Sequence, residues 1–280
     1  MWSSKDVYYI SDSTGILATN LGQALLCQFP EINFHEEHLP FIRTVSEAQK
    51  TLQYILKNSG GRRPLVFSTI MNKEILKVLD HPELEFFDAY EFFLSKLERC
   101  LEAQALRVPG FSRHFDNVSM SKRVEAIHYS LEHDDGVKTE EFDEADVILV
   151  GVSRAGKTPV SVYLATQIGL KAANFPLTTE YLSSFKLPEG IIRNIRRAVG
   201  LTTTPELLQA MRQKRYPNSR YARLATCTEE IEQAKEIFLR YKIPLINTAG
   251  KSIEETATQV CQEIGISKKP AELPNHGMPG

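Results

Sequence analysis

The stretch that decides the fold is DVILVGVSRAGKTPVSVYLA, residues 146–165. It opens with a run of apolar, β-branched residues, which predicts a buried strand over 146–151. The next residues, GVSRAGKT at 151–158, match all the fixed positions of the pattern G-x-x-x-x-G-K-S/T and lead into a helical pattern. A strand before the loop and a helix after it are the context that this pattern requires. The stretch therefore predicts a phosphate-binding loop (P-loop) in an α/β domain, rather than a chance match in a glycine turn.

Each fixed position of the loop has a chemical reason. Glycine lets backbone N–H groups approach phosphate oxygens without a Cβ clash, and the start of the helix adds a partial positive charge. We expect Lys157 to bring its charge to the terminal phosphates and to take part in catalysis, and the Thr158 hydroxyl to bind Mg²⁺. The predicted nucleotide-binding residues are Gly151, Val152, Ser153, Arg154, Ala155, Gly156, Lys157 and Thr158.

Outside this stretch, short apolar runs alternate with longer amphipathic segments. This alternation predicts two α/β units with largely parallel sheets, the second being a P-loop kinase-like domain. We place an N-terminal α/β domain at 1–107, a connecting segment at 108–141, the P-loop domain at 142–266 and a loose tail at 267–280. After the P-loop, the pattern predicts helices near 159–169, 205–215 and 228–242, and a final strand over 243–247.

A kinase also needs an acid near its phosphates, and such an acid usually stands at the end of another strand. No clean apolar run that ends in aspartate follows the P-loop, and the predicted final strand ends in Asn247 instead. The best candidates are Asp134 and Asp135, which with His133 precede the loop, and Asp and His are common general bases. The alternative is an ordinary helix end and turn, HDDG, since Asp and Gly are frequent turn residues. Spacing alone favours the turn.

Two other groups are candidates for anion binding. Ser11, Asp12, Ser13 and Thr14 follow the first strand, where open α/β sheets often bind ligands, but they would serve equally well as an N-cap. Arg220 lies in YPNSRYA, 216–222, on a predicted loop that could fold over the nucleotide as a catalytic element. Basic residues also cluster after the P-loop and are suited to phosphate contacts, although a solvated helix face is the commoner case for any one of them. They are Arg193, Arg196, Arg197, Arg212, Lys214, Arg215, Arg220 and Arg223.

Composition narrows the class of protein. A formal net charge of -2 gives no global attraction to nucleic acid or to anionic lipid. The four cysteines form no CxxC pair, which predicts reduced thiols and a cytoplasmic protein. No segment approaches the ~18 continuous apolar residues that a membrane span needs.

The order of motifs from Val7 to Ile266 resembles one bacterial family. The motifs are YYISDSTG, RPLVFSTI, HDDG, GVSRAGKTPVSVYLA followed by GLKAANFPL, NSRYA and IPLINTAGKSIEE. They resemble the bifunctional kinase/pyrophosphorylases that regulate phosphoenolpyruvate synthase, a family that also includes regulators of pyruvate, phosphate dikinase. The likeness is closer to the synthase regulators.

The resemblance implies ADP-dependent phosphorylation of a target threonine, which inactivates the synthase, and phosphate-dependent removal of the phosphoryl group as pyrophosphate, which reactivates it. It also implies that the P-loop is the ADP site, that inorganic phosphate is the second substrate, that phosphoenolpyruvate synthase is the partner and that the protein is a homodimer. The residues alone leave three alternatives: a small-molecule kinase of the adenylate or shikimate kinase type, a regulator of the dikinase, and a nucleotide-gated binding protein.

Overall fold

The computed structural model describes residues 4–108 and 117–266, without the side chains of 117–119, and the chain divides into two compact units. The expected loose tail at 267–280 lies outside the described residues. Residues 4–108 belong to the first unit. Its strands are β1 (Ser4–Ile10), β2 (Asn33–Leu39), β3 (Leu65–Ser68) and β4 (Glu85–Asp88), and its helices are α1 (Ile16–Leu26), α2 (Val45–Asn58), α3 (Lys73–Leu79) and α4 (Ala89–Leu101).

The first unit is a parallel sheet in the order β2-β1-β3-β4. Alternate side chains of β1 enter two different cores, as the pleat requires. Tyr8 and Ile10 pack with residues of α2 and α3, whereas Val7 and Tyr9 pack with residues of α1. The sheet is therefore covered on both faces, which is the reason that the second half of β1, VYYI at 7–10, is apolar on both sides of the strand.

Residues 117–266 belong to the second unit. Its strands are β5 (Val147–Gly151), β6 (Ala172–Pro176), β7 (Ala198–Thr202) and β8 (Leu245–Asn247). Its helices are α5 (Asn117–Glu132), α6 (Lys157–Tyr163), α7 (Thr179–Ser184), α8 (Glu189–Arg193), α9 (Pro205–Arg215), α10 (Leu224–Tyr241) and α11 (Ile253–Glu263). Shorter turns of 3-10 helix lie at Thr139–Glu144, Ile195–Arg197 and Arg220–Ala222, and a π-helical turn lies at Leu164–Ile168.

The second sheet is also parallel, in the order β6-β5-β7-β8. Every residue of β5 is buried. Ile148 and Val150 pack in a core that includes residues of α9 and α10, while Val147 and Leu149 pack in one that includes residues of α6 and α11. Two units with parallel sheets confirm the predicted fold class. Within the part of the chain that the structure describes, no helix combines the length and the apolar character needed to cross a bilayer.

Three features of the second unit were not anticipated. The sequence pattern predicted neither β6 nor β7, whose segments AANFP and AVGLT are only five residues long and include Ala, Asn, Pro and Gly, which are depleted in strands. Small size is required at Gly200 of β7, because a Cβ there would lie 3.0 Å from the ring of Phe238. Helix α5 lies within the predicted connecting segment, 108–141, and packs against β6 and the π-helical turn.

Candidate nucleotide-phosphate site

The P-loop runs from the carboxyl end of β5 to the first turn of α6, as predicted. Gly151 is required because a Cβ at this position would lie 2.5 Å from the carbonyl oxygen of Leu201 on β7. Two loop residues have left-handed backbone conformations, Arg154 with a φ of 76° and Gly156 with a φ of 93°. Glycine adopts this conformation freely, whereas a residue with a Cβ does so at a cost of about 1–2 kcal/mol. The loop conformation at Arg154 therefore needs support from elsewhere.

Lys157 is buried, with 5% of its surface exposed, and its Nζ donates a hydrogen bond to the carbonyl oxygen of Val152 at 3.0 Å. Burial lowers the pKa of its ammonium group to about 8, an effect that the carboxylates of Asp135 and Asp134 oppose. A buried ammonium group lacks the water that would stabilise its charge. It is therefore a strong site for an anion that reaches the loop.

The HDDG turn is held beside the P-loop by the edge strand of the sheet. The backbone N–H of Asn174 on β6 donates to the carbonyl oxygen of His133 at 3.0 Å, and the N–H of Gly136 donates to that of Asn174 at 2.7 Å. This pairing brings Asp134 to the P-loop threonine, whose hydroxyl donates to Asp134 Oδ1 at 3.1 Å. HDDG is thus a turn, as the spacing favours, and it also carries an acid to the phosphate site.

Asn174 completes this cluster, and nothing in the sequence analysis pointed to it. Its side chain is fully buried, and its Nδ2 donates both to Asp134 Oδ1 and, at 2.8 Å, to the hydroxyl of Thr158. Its Oδ1 has no hydrogen-bond partner within residues 4–108 and 117–266. The only available signal was an asparagine inside an otherwise apolar segment, AANFP, which is a recognisable clue once that segment is known to be a strand.

His133 was grouped with the catalytic candidates, and its geometry corrects that assignment. The ring is buried and stacked on Tyr129, with 3.8 Å between the ring centroids. Its Nδ1 lies 2.7 Å from the carbonyl oxygen of Tyr129, and its Nε2 lies 3.1 Å from a carboxylate oxygen of Glu141. The ring is thus enclosed by Tyr129 and Glu141 and presents almost no surface to a substrate. His133 holds the turn that carries Asp134 and Asp135.

The basic residues after the P-loop separate into two groups. Arg197 donates to the carbonyl oxygens of Asp143 and Ala145 at 2.8 and 2.9 Å, and Arg193 lies 3.5 Å from the carboxylate of Asp143. These contacts, and Arg196 in the same 3-10 turn, precede β5 or β7 and so lie at the amino end of the sheet. The P-loop lies at the carboxyl end. The expectation that these three arginines reach phosphate is therefore wrong.

The second group lies on the arm formed by α9, residues 216–223 and the start of α10. Arg220 is exposed in a 3-10 turn, and Lys214, Arg215 and Arg223 are exposed nearby in the chain. Between this arm and the P-loop is an open hollow of about 430 Å³. It is lined by Ser153, Tyr216, Ser219 and Tyr221.

In the first unit, the loop after β1 is fastened to its neighbours. The Thr69 hydroxyl donates to Ser11 Oγ at 3.0 Å, and the backbone N–H of Met71 donates to a carboxylate oxygen of Asp12 at 3.0 Å. Helix α1 begins after Gly15 and has no side-chain cap, so the N-cap interpretation of this loop is wrong. Ser11 and Asp12 join the loops that follow β1 and β3.

The site needs mixed ligands if it is to hold a metal ion. Among the described residues, no group of three or more His, Cys, Asp or Glu side chains could hold one. The oxygen atoms near the P-loop are those of the Thr158 hydroxyl, the Asp134 carboxylate and the Asn174 amide. Hard cations such as Mg²⁺ bind such oxygen ligands together with water and phosphate oxygens.

Comparison with known proteins identifies the family to which the chain is similar. The sequence model of the kinase/pyrophosphorylase family matches residues 7–261. A protein of Desulfotalea psychrophila is 47% identical over 96% of this chain and 99% of its own length. Proteins of Bordetella avium and Neisseria gonorrhoeae are 42% and 40% identical, over 95% and 96% of this chain and 98% and 100% of their own. Each of the three has been provisionally named a phosphoenolpyruvate synthase regulatory protein.

Proposed function

The chain belongs to the kinase/pyrophosphorylase family, and on that premise we propose that it regulates a phosphoenolpyruvate synthase by reversible phosphorylation. As a member of this family it is a phosphotransferase. In the forward reaction, a threonine hydroxyl of the synthase attacks the β-phosphorus of ADP, and AMP leaves. In the reverse reaction, inorganic phosphate attacks the phosphothreonine, and threonine and pyrophosphate are released. The observation that carries the proposal is the meeting of Lys157, Thr158 and Asp134 at one end of β5.

The choice of ADP as the donor rests on the family resemblance, and the P-loop suits it because the buried cation of Lys157 would contact a terminal phosphate. With ADP that terminal group is the β-phosphate, which is the group transferred. An anion at this position supplies the compensating charge that the buried Lys157 ammonium lacks, and the loop amides hold the phosphoryl oxygens. Charge that develops on those oxygens during transfer is stabilised in the same way.

Mg²⁺ fits the group of oxygen atoms beside Lys157. The Thr158 hydroxyl and the Asp134 carboxylate would hold it, and the buried amide of Asn174, whose Oδ1 is orphaned in the described part of the chain, would orient them. When bound, such an ion neutralises charge on the phosphoryl oxygens. The remaining task of the site is to position the threonine hydroxyl of the target protein.

For the acceptor side, we assign the proton transfer to Asp135. It is exposed and next to Asp134 on the same turn, and its left-handed backbone has a φ of 53°. A carboxylate there is suited to take the proton from a threonine hydroxyl as it attacks. Arg220, exposed on the arm, would hold the second anion of the reverse reaction, because a guanidinium group binds phosphate in a bidentate manner.

The proposal also covers the compartment and the oligomeric state of the protein. Cys27, Cys100, Cys227 and Cys261 are all free thiols, which is consistent with a reducing compartment such as the cytoplasm. A homodimer rests on the family resemblance alone, and sedimentation equilibrium would test it.

The experiment follows the fate of the β-phosphate. The protein is incubated with a phosphoenolpyruvate synthase, its substrates and ADP labelled with phosphorus-32 at the β-phosphate, with a pyruvate, phosphate dikinase as a parallel acceptor. We expect label on a threonine of the synthase and its release as pyrophosphate when unlabelled phosphate is added. Label on the dikinase alone would show that the dikinase, and not the synthase, is the target protein. Label on a small molecule would indicate a small-molecule kinase. The absence of any transfer would favour a binding protein that is switched by the nucleotide.

Substitution of Asp134 tests the site itself. Asp134→Asn keeps the size of the side chain but removes the negative charge that attracts the Lys157 ammonium group and accepts a hydrogen bond from Thr158. We therefore expect the rate of phosphoryl transfer to fall by about 100-fold or more. Asp143→Asn is the matched control, because Asp143 is an exposed aspartate at the opposite end of the sheet. Transfer by the Asp134 variant within threefold of wild type would exclude Asp134 from the catalytic site.

A further inference from the structure

Arg212 is a buried arginine behind the P-loop. It lies on α9, and its side chain has no exposed surface. A fully buried arginine is rare, because removal of its charge from water costs several kcal/mol unless partners compensate for it. Its contacts therefore show what this cation is positioned to do.

The guanidinium group of Arg212 joins three segments of the second unit. Its Nη2 donates to the P-loop carbonyl oxygen of Ser153 at 3.2 Å, and its Nη1 donates to that of Tyr221 on the arm at 3.1 Å. Its charge is balanced by Glu230 on α10, at 2.5 Å from Nη2. The ring of Tyr221 lies against the guanidinium, with 3.9 Å between the carbon Cζ and the ring centroid. All of these contacts are made to other residues of the second unit.

The bond to Ser153 acts on the part of the loop that needs support. Because the peptide unit is planar and trans, a carbonyl oxygen held by Arg212 directs the N–H of Arg154 to the opposite side. Arg154 is the loop residue with a side chain and a left-handed φ of 76°, a conformation that a non-glycine residue adopts only when its surroundings enforce it. The bond therefore determines which way one loop amide points.

The same side chain also links the loop to the arm. Tyr221 contacts Arg212 through its backbone oxygen and through its ring, and it is adjacent to Arg220 in the chain. Both Ser153 and Tyr221 line the hollow between loop and arm. A shift of Arg212 would therefore alter the loop and the position of the arm together.

We infer that Arg212 is a positioning residue of the phosphate site: it holds the 153–154 peptide so that the loop amides face the phosphates, and it couples the arm to the loop. This inference rests on the proposed function, because it requires the P-loop to bind the phosphates of ADP. It assigns Arg212 no contact with the nucleotide. A lysine at this position would keep the charge but could not donate to both carbonyl oxygens and Glu230 in the fixed planar fork of arginine.

The test measures binding of ADP and of pyrophosphate, which has no base, by titration calorimetry. For Arg212→Lys we expect the Kd of both ligands to rise by about tenfold or more, since a charge-assisted hydrogen bond that orients the loop is lost. The number of sites per chain should stay near that of wild type, because the lysine keeps the positive charge beside Glu230. A merely structural role would lower the number of binding sites and leave the Kd unchanged.

Arg240→Lys is the matched control. Arg240 also lies over an aromatic ring, at 5.4 Å from that of Phe185, and it donates to a backbone carbonyl oxygen and to a glutamate, but it makes these contacts away from the P-loop. We expect its Kd values to stay within twofold of wild type. If Arg212→Lys does not fold, Tyr221→Leu removes the stacked ring while keeping the ion pair, and its Kd for pyrophosphate should rise by at least about threefold.

Three results would overturn the inference. The first is a Kd within twofold of wild type for a folded Arg212→Lys, or for Tyr221→Leu if Arg212→Lys does not fold. Arg212 would then not position the loop, and the proposed function would be unaffected. Fewer sites at an unchanged Kd would have the same consequence. Wild-type protein that binds neither ADP nor pyrophosphate would overturn the proposed function and this inference with it.

Discussion

Replacement of Lys157 with methionine should make the ligand-free protein more stable while it removes the charge that binds phosphate. The pKa of an ordinary lysine is 10.5, and burial lowers that of Lys157 to about 8. At about 1.4 kcal/mol for each pKa unit, keeping this ammonium group buried costs about 3 kcal/mol at pH 7. Methionine avoids that cost but gives up the hydrogen bond to Val152, which is worth about 1 kcal/mol. The expected net change is an increase of about 2 kcal/mol in the free energy of unfolding.

The sign of this effect determines its pH dependence. The folded pKa of Lys157 is lowered, so between pH 8 and pH 10.5 the unfolded chain binds more protons than the folded protein, and the stability of the wild type rises with pH in that window. A methionine at this position has no such titration. The advantage of the variant over the wild type should therefore shrink by about 2 kcal/mol between pH 7 and pH 10.

The assay is urea unfolding followed by far-ultraviolet circular dichroism, with variant and wild type compared at each pH so that other titrations cancel. Because the two units can unfold separately, the relevant transition is the one that ADP shifts in the wild type. Lys235→Met is the control: Lys235 is exposed and paired with Glu232 on α10, and its loss should change stability by less than about 0.5 kcal/mol at either pH. A Lys157→Met protein that is less stable at pH 7, or equally favoured at both pH values, would refute the reasoning.

Two further predictions concern the scaffold. Gly151→Ala places a Cβ 2.5 Å from the Leu201 carbonyl oxygen, and because this oxygen belongs to a sheet backbone that cannot retreat, we expect a loss of about 2 kcal/mol in urea unfolding. Gly250→Ala has no atom within 4 Å and bears only the strain of its left-handed φ of 73°, so an equal loss in both variants would contradict this explanation. In the first unit, Thr44→Ala removes the hydroxyl that caps α2 through the Glu47 N–H and should cost about 1 kcal/mol. Faster hydrogen exchange confined to the first turn of α2 would check it, whereas unchanged exchange there would count against the cap.

Some segments of the second unit have a structure that depends on their neighbours rather than on their own residues. The sequence pattern did not predict β6 and β7, whose short segments contain alanine, asparagine, proline and glycine, residues that are depleted in strands. Gly200 of β7 instead fits closely against the ring of Phe238, a contact that the sequence does not show. Arg212 and Arg220 read alike in the sequence, as members of one basic cluster. Only packing distinguishes them, since Arg212 is enclosed by α9, α10 and the arm, while Arg220 is exposed.

By itself, the sequence determined the P-loop, the alternation of strands and helices in the first unit and the overall class of two parallel α/β units. These features are local, because each depends on residues adjacent in the chain and on a period that can be read directly. The tertiary structure decided which acid meets that loop. Asp134 reaches Thr158 because the HDDG turn pairs with β6, and β6 pairs with β5, so the contact joins segments that are far apart in the chain. The sequence distance between Asp134 and the P-loop does not reveal the order of the strands, because that order is set by the packing of the whole sheet.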